Sequence, residues 1–314
     1  MLKVNNLTVY SHLNSSKKYL LRDVSFSLNK GDSLGIISKS GEGKSTLAKA
    51  LLNIFDSGIY KENGLIEIDG VPFENKMRGR KISLMYQNPN SYLNPLMKVG
   101  KQIEEMLTYH FKLNKKEAKS RTLQLMEQVG LTDALKLYDY YPYEISGGMQ
   151  QRICLCIAII TEPDILILDE STSYLDNASK QEILDLIKKF QQERKFTIIM
   201  ISHDFKEIYS SCNKIAIMRK GELIEFGNKD EIILNPIHPY TVELLCNYLK
   251  FYTDIESFRC PLMNIEVEKC APITMISETH FVRSWYLDKQ ALKINYPFNL
   301  NEIKEQTYEN LRNK

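Results

Sequence analysis

Four groups of residues in this chain have the types and spacing for phosphate chemistry. The first is the run Ser38-Lys39-Ser40-Gly41-Glu42-Gly43-Lys44-Ser45-Thr46. Glycines at 41 and 43 let the backbone curl so that several N–H groups point into one concavity, a nest for phosphate oxygens. The Lys44 ammonium can reach the β- and γ-phosphates of a nucleotide, and the Ser45 hydroxyl can ligate Mg²⁺. Ser38 stands where the pattern G-x-x-x-x-G-K-[ST] has glycine. A side chain there is expected to crowd the loop at some cost in nucleotide affinity. The second group is Asp169-Glu170, just past the apolar run Ile165-Leu166-Ile167-Leu168. Two carboxylates beside a buried strand are costly unless they hold a cation or a reacting water; a structural pair of helix-capping acids is the plainer alternative. The third is Ser146-Gly147-Gly148 ahead of a helical pattern, where bare N–H groups and a positive dipole end make a second anion site. Its plainer alternative is a serine N-cap before an ordinary helix. The fourth is His203 in Ser202-His203-Asp204, at the end of an apolar run. A lone histidine is usually structural, but ligands of open α/β sheets bind outside the carboxyl ends of strands.

These groups need elements that hold them. Residues 33–37 form a strand-type apolar run, the glycine turn follows, and a helical pattern over 44–51 begins at once, the context a phosphate loop requires. Residues 2–10 and 19–28 read as strands joined by the polar segment 11–18. Tyr10 ends the first of them; an aromatic there can stack on an adenine or pack in the sheet, and the sequence leaves both open. Residues 64–69 and 81–86 are further strands, the second ending at Gln87. Over 99–130 the pattern turns helical, with Ile103, Met106 and Leu107, then Leu123, Leu125, Met126 and Val129, and predicts a helical subdomain set into a strand-rich region. Met149, Ile153, Cys156 or Ile157, and Ile160 continue at helical spacing after the two glycines. Residues 165–168 are apolar throughout, as expected inside a parallel sheet. Ser173-Tyr174-Leu175-Asp176 leads to an amphipathic helix through Arg194, the strand Thr197–Ile201 delivers His203, and strands and helices alternate up to Gly227. Short helices over Lys229–Leu234 and 240–249 follow.

Length and composition bound the class. At 314 residues the chain can bury one large core or two domains, and 43% hydrophobic with 25% charged residues is ordinary for a globular protein. Lysine plus arginine number 41 against 39 acids, a balance that argues neither for nor against nucleic acid. The longest apolar runs, such as 153–160, fall far short of the roughly 20 residues that span a bilayer. Met1-Leu2-Lys3-Val4-Asn5 lacks the charged-then-apolar layout of a signal peptide. The 6 cysteines are scattered without a paired framework, which fits a reducing cytosol. Cys154 and Cys156 lie in an apolar stretch and read as core residues.

Taken together, these stretches resemble the ATP-binding subunits of ABC transporters over about residues 1–235. The resemblance rests on their fixed order: phosphate loop, Gln87, Ser146-Gly147-Gly148, Asp169-Glu170, residues 173–176, His203. Finer features are similar to the oligopeptide, dipeptide and nickel importers within that family. They are Gln87-Asn88-Pro89-Asn90-Ser91-Tyr92-Leu93-Asn94-Pro95, Tyr141-Pro142-Tyr143-Glu144-Ile145-Ser146-Gly147-Gly148-Met149, Asn235-Pro236-Ile237-His238-Pro239-Tyr240-Thr241, and residues 279–287. Some members hold an iron–sulfur cluster in their C-terminal extension. Here only Cys260 and Cys270 fall in plausible places, and two thiolates do not complete a four-cysteine cluster, so none is expected. Ser171 is a further departure, where proline usually follows the catalytic glutamate.

The resemblance implies an α/β fold: a P-loop NTPase core with an antiparallel β-subdomain and a helical signature subdomain (about 98–161) within residues 1–235. A small C-terminal extension over 236–314 completes it. It implies ATP and Mg²⁺ as cofactors. Ser38, Ser40, Gly41, Gly43, Lys44, Ser45 and Thr46 would hold the phosphates and Tyr10 the adenine. Ser45, Gln87 and Asp169 would serve the metal, Glu170 would polarise the attacking water, and His203 would contact the γ-phosphate. Ser146, Gly147 and Gly148 would bind the γ-phosphate held by a second ATPase subunit, a homologue or an identical copy. The remaining implied partners are two membrane permease subunits and, indirectly, an extracytoplasmic substrate-binding protein, with no nucleic acid. The place implied is the cytoplasmic face of the membrane. The solute is a peptide or a nickel or related metal complex, and the sequence does not choose. Two other classes stand beside this one. A soluble ABC ATPase acting on ribosomes or DNA is disfavoured by the lack of a second ATPase domain or a coiled-coil insertion. A low-turnover regulatory subunit is disfavoured by Glu170 and His203 and kept open by Ser38.

Overall fold

The computed structural model describes residues 1–13, 16–86, 88–171, 176–249 and 273–283. β1 (Leu2–Leu13) and β2 (Ser16–Leu28) form a long antiparallel hairpin. β3 (Ser33–Ile37) enters a different sheet and hands over to α1 (Lys44–Leu51). β4 (Ile59–Ile68) and β5 (Val71–Pro72) return to the hairpin, giving an antiparallel sheet of order β2-β1-β4-β5. β6 (Ile82–Met85) is followed by a helical block: α2 (Pro89–Tyr92), α3 (Val99–Phe111), α4 (Lys115–Gln128), α5 (Ala134–Leu137) and α6 (Gly147–Ile159). β7 (Ile165–Asp169), α7 (Asn177–Arg194), β8 (Thr197–Ile201), α8 (Phe205–Ser211), β9 (Lys214–Arg219) and β10 (Glu222–Asn228) come next. α9 (Lys229–Leu234), α10 (Pro239–Leu249), β11 (Ile273–Met275) and β12 (Phe281–Arg283) complete the described residues.

The second sheet has the order β11-β12-β10-β9-β3-β8-β7-β6 among the described residues. It is parallel from β9 through β3, β8 and β7 to β6, and antiparallel beyond β9. Its parallel strands are apolar on both faces, and the two-residue period of a strand sorts them into two cores. Leu34, Ile36, Ile165, Ile167, Ile199 and Ile201 pack with α1 and the antiparallel sheet. Ile37, Leu166, Leu168, Ile198 and Met200 pack with α3, α4, α6, α7 and α8. The parallel sheet is therefore the middle layer, and the carboxyl ends of β3, β7 and β8 emerge on one edge between the two cores.

Several boundaries differ from the sequence expectation. The polar segment 11–18 is not a connector: the hairpin pairing runs on to Leu13 and Ser16. Strand pairing satisfies the backbone there while Lys17 and Lys18 stay exposed, and Lys17 bonds Glu62 of β4 at 2.6 Å. The helical pattern over 99–130 is two helices. Lys112 takes a left-handed φ of 53° that ends α3, and the Asn114 side chain accepts the Glu117 N–H at 3.0 Å to open α4. β4 starts at Ile59 rather than 64, because residues 59–63 also pair with β1. Gln87, Ser173, Tyr174, Leu175, Cys260, Cys270 and residues 284–287 lie outside the described residues.

Candidate active site

The loop between β3 and α1 is closed by its own lysine. The Lys44 ammonium, 6% exposed as a residue, donates to the Ser38 carbonyl (2.9 Å), the Ser38 hydroxyl (2.9 Å) and the Lys39 carbonyl (3.0 Å). Ser38 is buried, and its hydroxyl donates to the Lys39 carbonyl at 2.9 Å. Its φ is not among the positive values of the chain, so the backbone makes no demand for glycine there. In this loop the side chain at 38 is accommodated, its hydroxyl accepting from the Lys44 ammonium. Gly43 is different. Its φ is +102°, and a Cβ built on it would meet the Leu20 carbonyl at 2.7 Å, so both dihedral and space exclude a side chain. α1 makes its first intrahelical bond from Leu47 N–H to the Gly43 carbonyl, which leaves the N–H groups of Lys44, Ser45 and Thr46 without intrahelical partners. Burial pushes the Lys44 ammonium below its usual range, with Glu170, Asp169 and Glu42 opposing.

β7 brings the carboxylates to this loop. Ser45 donates its hydroxyl to Asp169 Oδ1 at 3.1 Å. Burial lifts the Asp169 carboxyl above its usual range; the Ser45 bond opposes that lift and the neighbouring Glu170 charge adds to it. A hydroxyl and a carboxylate this close are hard oxygen donors suited to Mg²⁺, and a cation would relieve the strain of burying that carboxylate. Glu170 is held at a φ of +47°, with its N–H donating to the Ile201 carbonyl at 2.8 Å. That anchor on β8 turns the side chain out of the strand, where its Oε2 lies 3.6 Å from His203 Nδ1. His203 is placed just beyond β8 and just ahead of α8, whose N-cap is Asp204.

Part of this set lines a cleft of about 660 Å³: Ser40, Gly41, Gly43, Lys44, Ser45, Thr46 and Glu170 border it, while Ser38, Asp169 and His203 are not in its lining. Its other wall is β2, through Lys18, Tyr19, Leu20 and Arg22, and the β9–β10 turn, through Lys220 and Gly221. Tyr10 does not line it. The Tyr10 ring lies 5.6 Å from Tyr60 and carries the Lys17 ammonium at 4.4 Å. Tyr10 thus packs beside Tyr60 and Lys17 on the sheet. The aromatic at the cleft is its cross-strand partner Tyr19, because β2 is the edge strand and β1 is interior. Tyr19, Lys18, Arg22 and Lys220 were not singled out from sequence; the strand order that selects them is a tertiary fact.

Ser146, Gly147 and Gly148 stand apart from this cleft. The Ser146 side chain caps α6 by accepting the Met149 N–H at 3.3 Å. A Cβ placed on either glycine would meet nothing within 4 Å. This helix start is therefore open, while Gln151 in its first turns reaches across to donate to the Ser171 carbonyl beside Glu170.

The geometry matches known proteins. The ABC transporter family profile fits residues 21–173. The oligopeptide transport ATP-binding protein AmiE of Streptococcus pneumoniae is 34% identical over 312 residues, covering 88% of this chain and 86% of its own. The oligopeptide transport ATP-binding protein OppD of Bacillus subtilis is 34% identical over 95% of this chain and 92% of its own. For the dipeptide transport ATP-binding protein DppD of Lactococcus lactis the figures are 34%, 94% and 93%. Among solved structures, the dimeric ATP-binding cassette MJ0796 in a post-hydrolysis state with ADP and phosphate superposes with a TM-score of 0.64. It is 25% identical, over 73% of this chain and 98% of that one. With that fold, that cleft and those relatives together, the chain belongs to the ABC transporter family, as one of its ATP-binding, ATP-hydrolysing subunits.

Proposed function

We propose that this chain energises an importer of peptides by binding and hydrolysing ATP in the cleft between the phosphate loop and β2. The observation that carries the reading is the convergence of Lys44, Ser45, Asp169, Glu170 and His203 at the carboxyl ends of β3, β7 and β8. Phosphoryl transfer to water is mostly positioning and charge neutralisation, so this set suffices in kind. Lys44, Ser38, Ser40, Gly41, Gly43, Ser45 and Thr46 bind the phosphates through side chains and helix-start amides. Ser45 and Asp169, with Gln87, hold Mg²⁺, which when bound neutralises developing phosphate charge. Glu170 orients the attacking water, and His203 fixes Glu170 and touches the terminal phosphate. Tyr19, rather than Tyr10, stacks on the adenine.

Peptides are favoured over nickel complexes because the relatives named above are peptide transport proteins over nearly their full lengths. Residues 1–235 form the ATPase domain, with its helical subdomain about 98–161, and 236–314 the extension. No helix among the described residues is long and apolar enough to cross a membrane. Transport then requires separate permease subunits, on whose cytoplasmic side this chain docks beside a second ATPase. Peptide uptake and ATP hydrolysis by the complex, assembled from the full chain with its permeases and second ATPase, test the reading. Glu170→Gln is expected to keep ATP binding and to lower hydrolysis about a hundredfold or more, in the range of lost general-base assistance. Hydrolysis at the wild-type rate by that variant, or uptake of metal complexes and not peptides, refutes the corresponding part.

A further inference from the structure

The motif Asn235-Pro236-Ile237-His238-Pro239-Tyr240-Thr241 has no role in the cleft chemistry, yet the helix it opens touches the phosphate loop. Glu243 of α10 is 3% exposed, and its Oε1 lies 3.0 Å from the ammonium of Lys39. The same ammonium sits 5.6 Å from the ring centroid of Tyr240, which is 1% exposed. Lys39 is the loop residue whose carbonyl accepts both the Lys44 ammonium (3.0 Å) and the Ser38 hydroxyl (2.9 Å). One residue thus joins α10 through its side chain and Lys44 through its backbone. α10 is itself bolted to the sheet. Glu225 of β10, fully buried, accepts the N–H of Ile237 (2.9 Å) and of His238 (3.0 Å), and His238 Nδ1 accepts the Tyr240 N–H at 3.0 Å.

We propose that Glu243 is a positioning residue for ATP binding: by clamping Lys39 to α10 it fixes the carbonyl that holds Lys44, and so lets the C-terminal helix set the loop's affinity for nucleotide. Exposed ion pairs contribute little, but the Glu243 carboxylate is buried, and a partly buried pair is screened much less by water and salt. The contact therefore biases where Lys39 can sit. Coupling of this kind is reciprocal: if α10 changes affinity for nucleotide, nucleotide must change the stability of α10 by the same factor. The inference rests on the cleft's being the ATP site.

The test uses the full chain and a fluorescent ATP analogue. Glu243→Gln and Lys39→Met are each expected to weaken binding about fivefold, within the usual span of coupling between sites, and to raise KM for ATP more than they lower kcat. The exchanged pair Lys39→Glu with Glu243→Lys should recover affinity to within about twofold of wild type, which a merely structural loss would not do. Amide exchange along α10 should slow when nucleotide is added to wild type and respond less in Glu243→Gln. Should the buried Glu243→Gln protein not fold, Lys39→Met breaks the same contact from its exposed side and decides alone. Single variants that bind like wild type, or an exchanged pair no better than the singles, overturn the proposal. A wild type that binds no nucleotide overturns the cleft assignment instead. A wild type that binds while α10 exchange stays unchanged overturns only the coupling.

Discussion

The Lys44 ammonium rests 2.9 Å from the Ser38 hydroxyl, so the serine that breaks the usual loop pattern is a partner of the lysine that defines it. Ser38→Gly would remove that acceptor and add backbone freedom at a residue that is 2% exposed. The nucleotide-free protein is expected to lose about 1 kcal/mol of stability, the usual net value of one hydrogen bond. ATP binding should be at least as tight as in wild type, because the ammonium gives up one fewer protein contact when a phosphate arrives. Denaturant unfolding and nucleotide titration of the same two proteins check it; unchanged stability with weaker ATP binding would contradict it.

The edge position of β2 makes an opposite pair of expectations for two tyrosines. Tyr19→Ala should weaken ATP-analogue binding by about five- to tenfold, as expected for losing a stacked aromatic partner. Tyr10→Ala should leave binding close to wild type and act on stability instead, through its contacts with Tyr60 and Lys17. Titrations of the two variants against ATP decide between them. A larger loss of affinity from Tyr10→Ala than from Tyr19→Ala would reverse the assignment.

This pair also marks where the sequence stops being informative. Lys44 and Ser45 are legible from the glycine turn between an apolar strand and a helix, and Asp169, Glu170 and His203 from lying at or just past the ends of apolar strands, so local pattern alone fixes backbone and position. The helix that Lys229–Leu234 forms is legible for the same reason. Tyr10 and Tyr19 are equally aromatic and both in strands; only the order β2-β1-β4-β5 says which one borders the cleft. Lys220 and Gly221 reach the loop from the β9–β10 turn, where the Gly221 N–H donates to the Glu42 carbonyl at 3.1 Å. No spacing in the chain announces that contact. The same holds for Lys39 and Glu243.

Acid sensitivity should be visible at the cap that follows His203. Burial alone would raise the Asp204 carboxyl, but the Lys180 ammonium at 2.8 Å and the N–H groups of Lys206 and Glu207 outweigh it, and its pKa lies below the ordinary 3.8. A depressed carboxyl binds fewer protons folded than unfolded, so its stabilisation is present above the unfolded pKa and is lost as pH falls through the folded one. The stability gap between wild type and Asp204→Asn should therefore be constant from about pH 5 upward and shrink below about pH 4. Chemical denaturation at a series of pH values measures the gap. A gap that widens on acidification would show that the carboxylate is not the stabilising form.

The open start of α6 makes the last prediction. Ser146 caps that helix, and Gly147 and Gly148 leave its first turn unobstructed, while the phosphate loop already has the helix start of α1 for its own nucleotide. On the proposed function, an anion at α6 would be brought by another chain; the solved cassette that superposes on this one is a dimer with ADP and phosphate. Association that closes around ATP is strengthened by nucleotide through mass action. The isolated chain is expected to be mainly monomeric and slow at hydrolysis, and its association should rise with ATP, most clearly in Glu170→Gln where turnover is blocked. Adding the second ATPase and the permeases should raise the rate. Ser146→Arg puts a bulky cation at the helix start and should remove much of that gain while leaving ATP binding to the phosphate loop intact. Sedimentation and ATPase assays on the same samples measure both. If the chain alone, as a stable monomer, hydrolyses ATP as fast as the full assembly, then α6 serves no shared phosphate and two-subunit closure is not how this protein works.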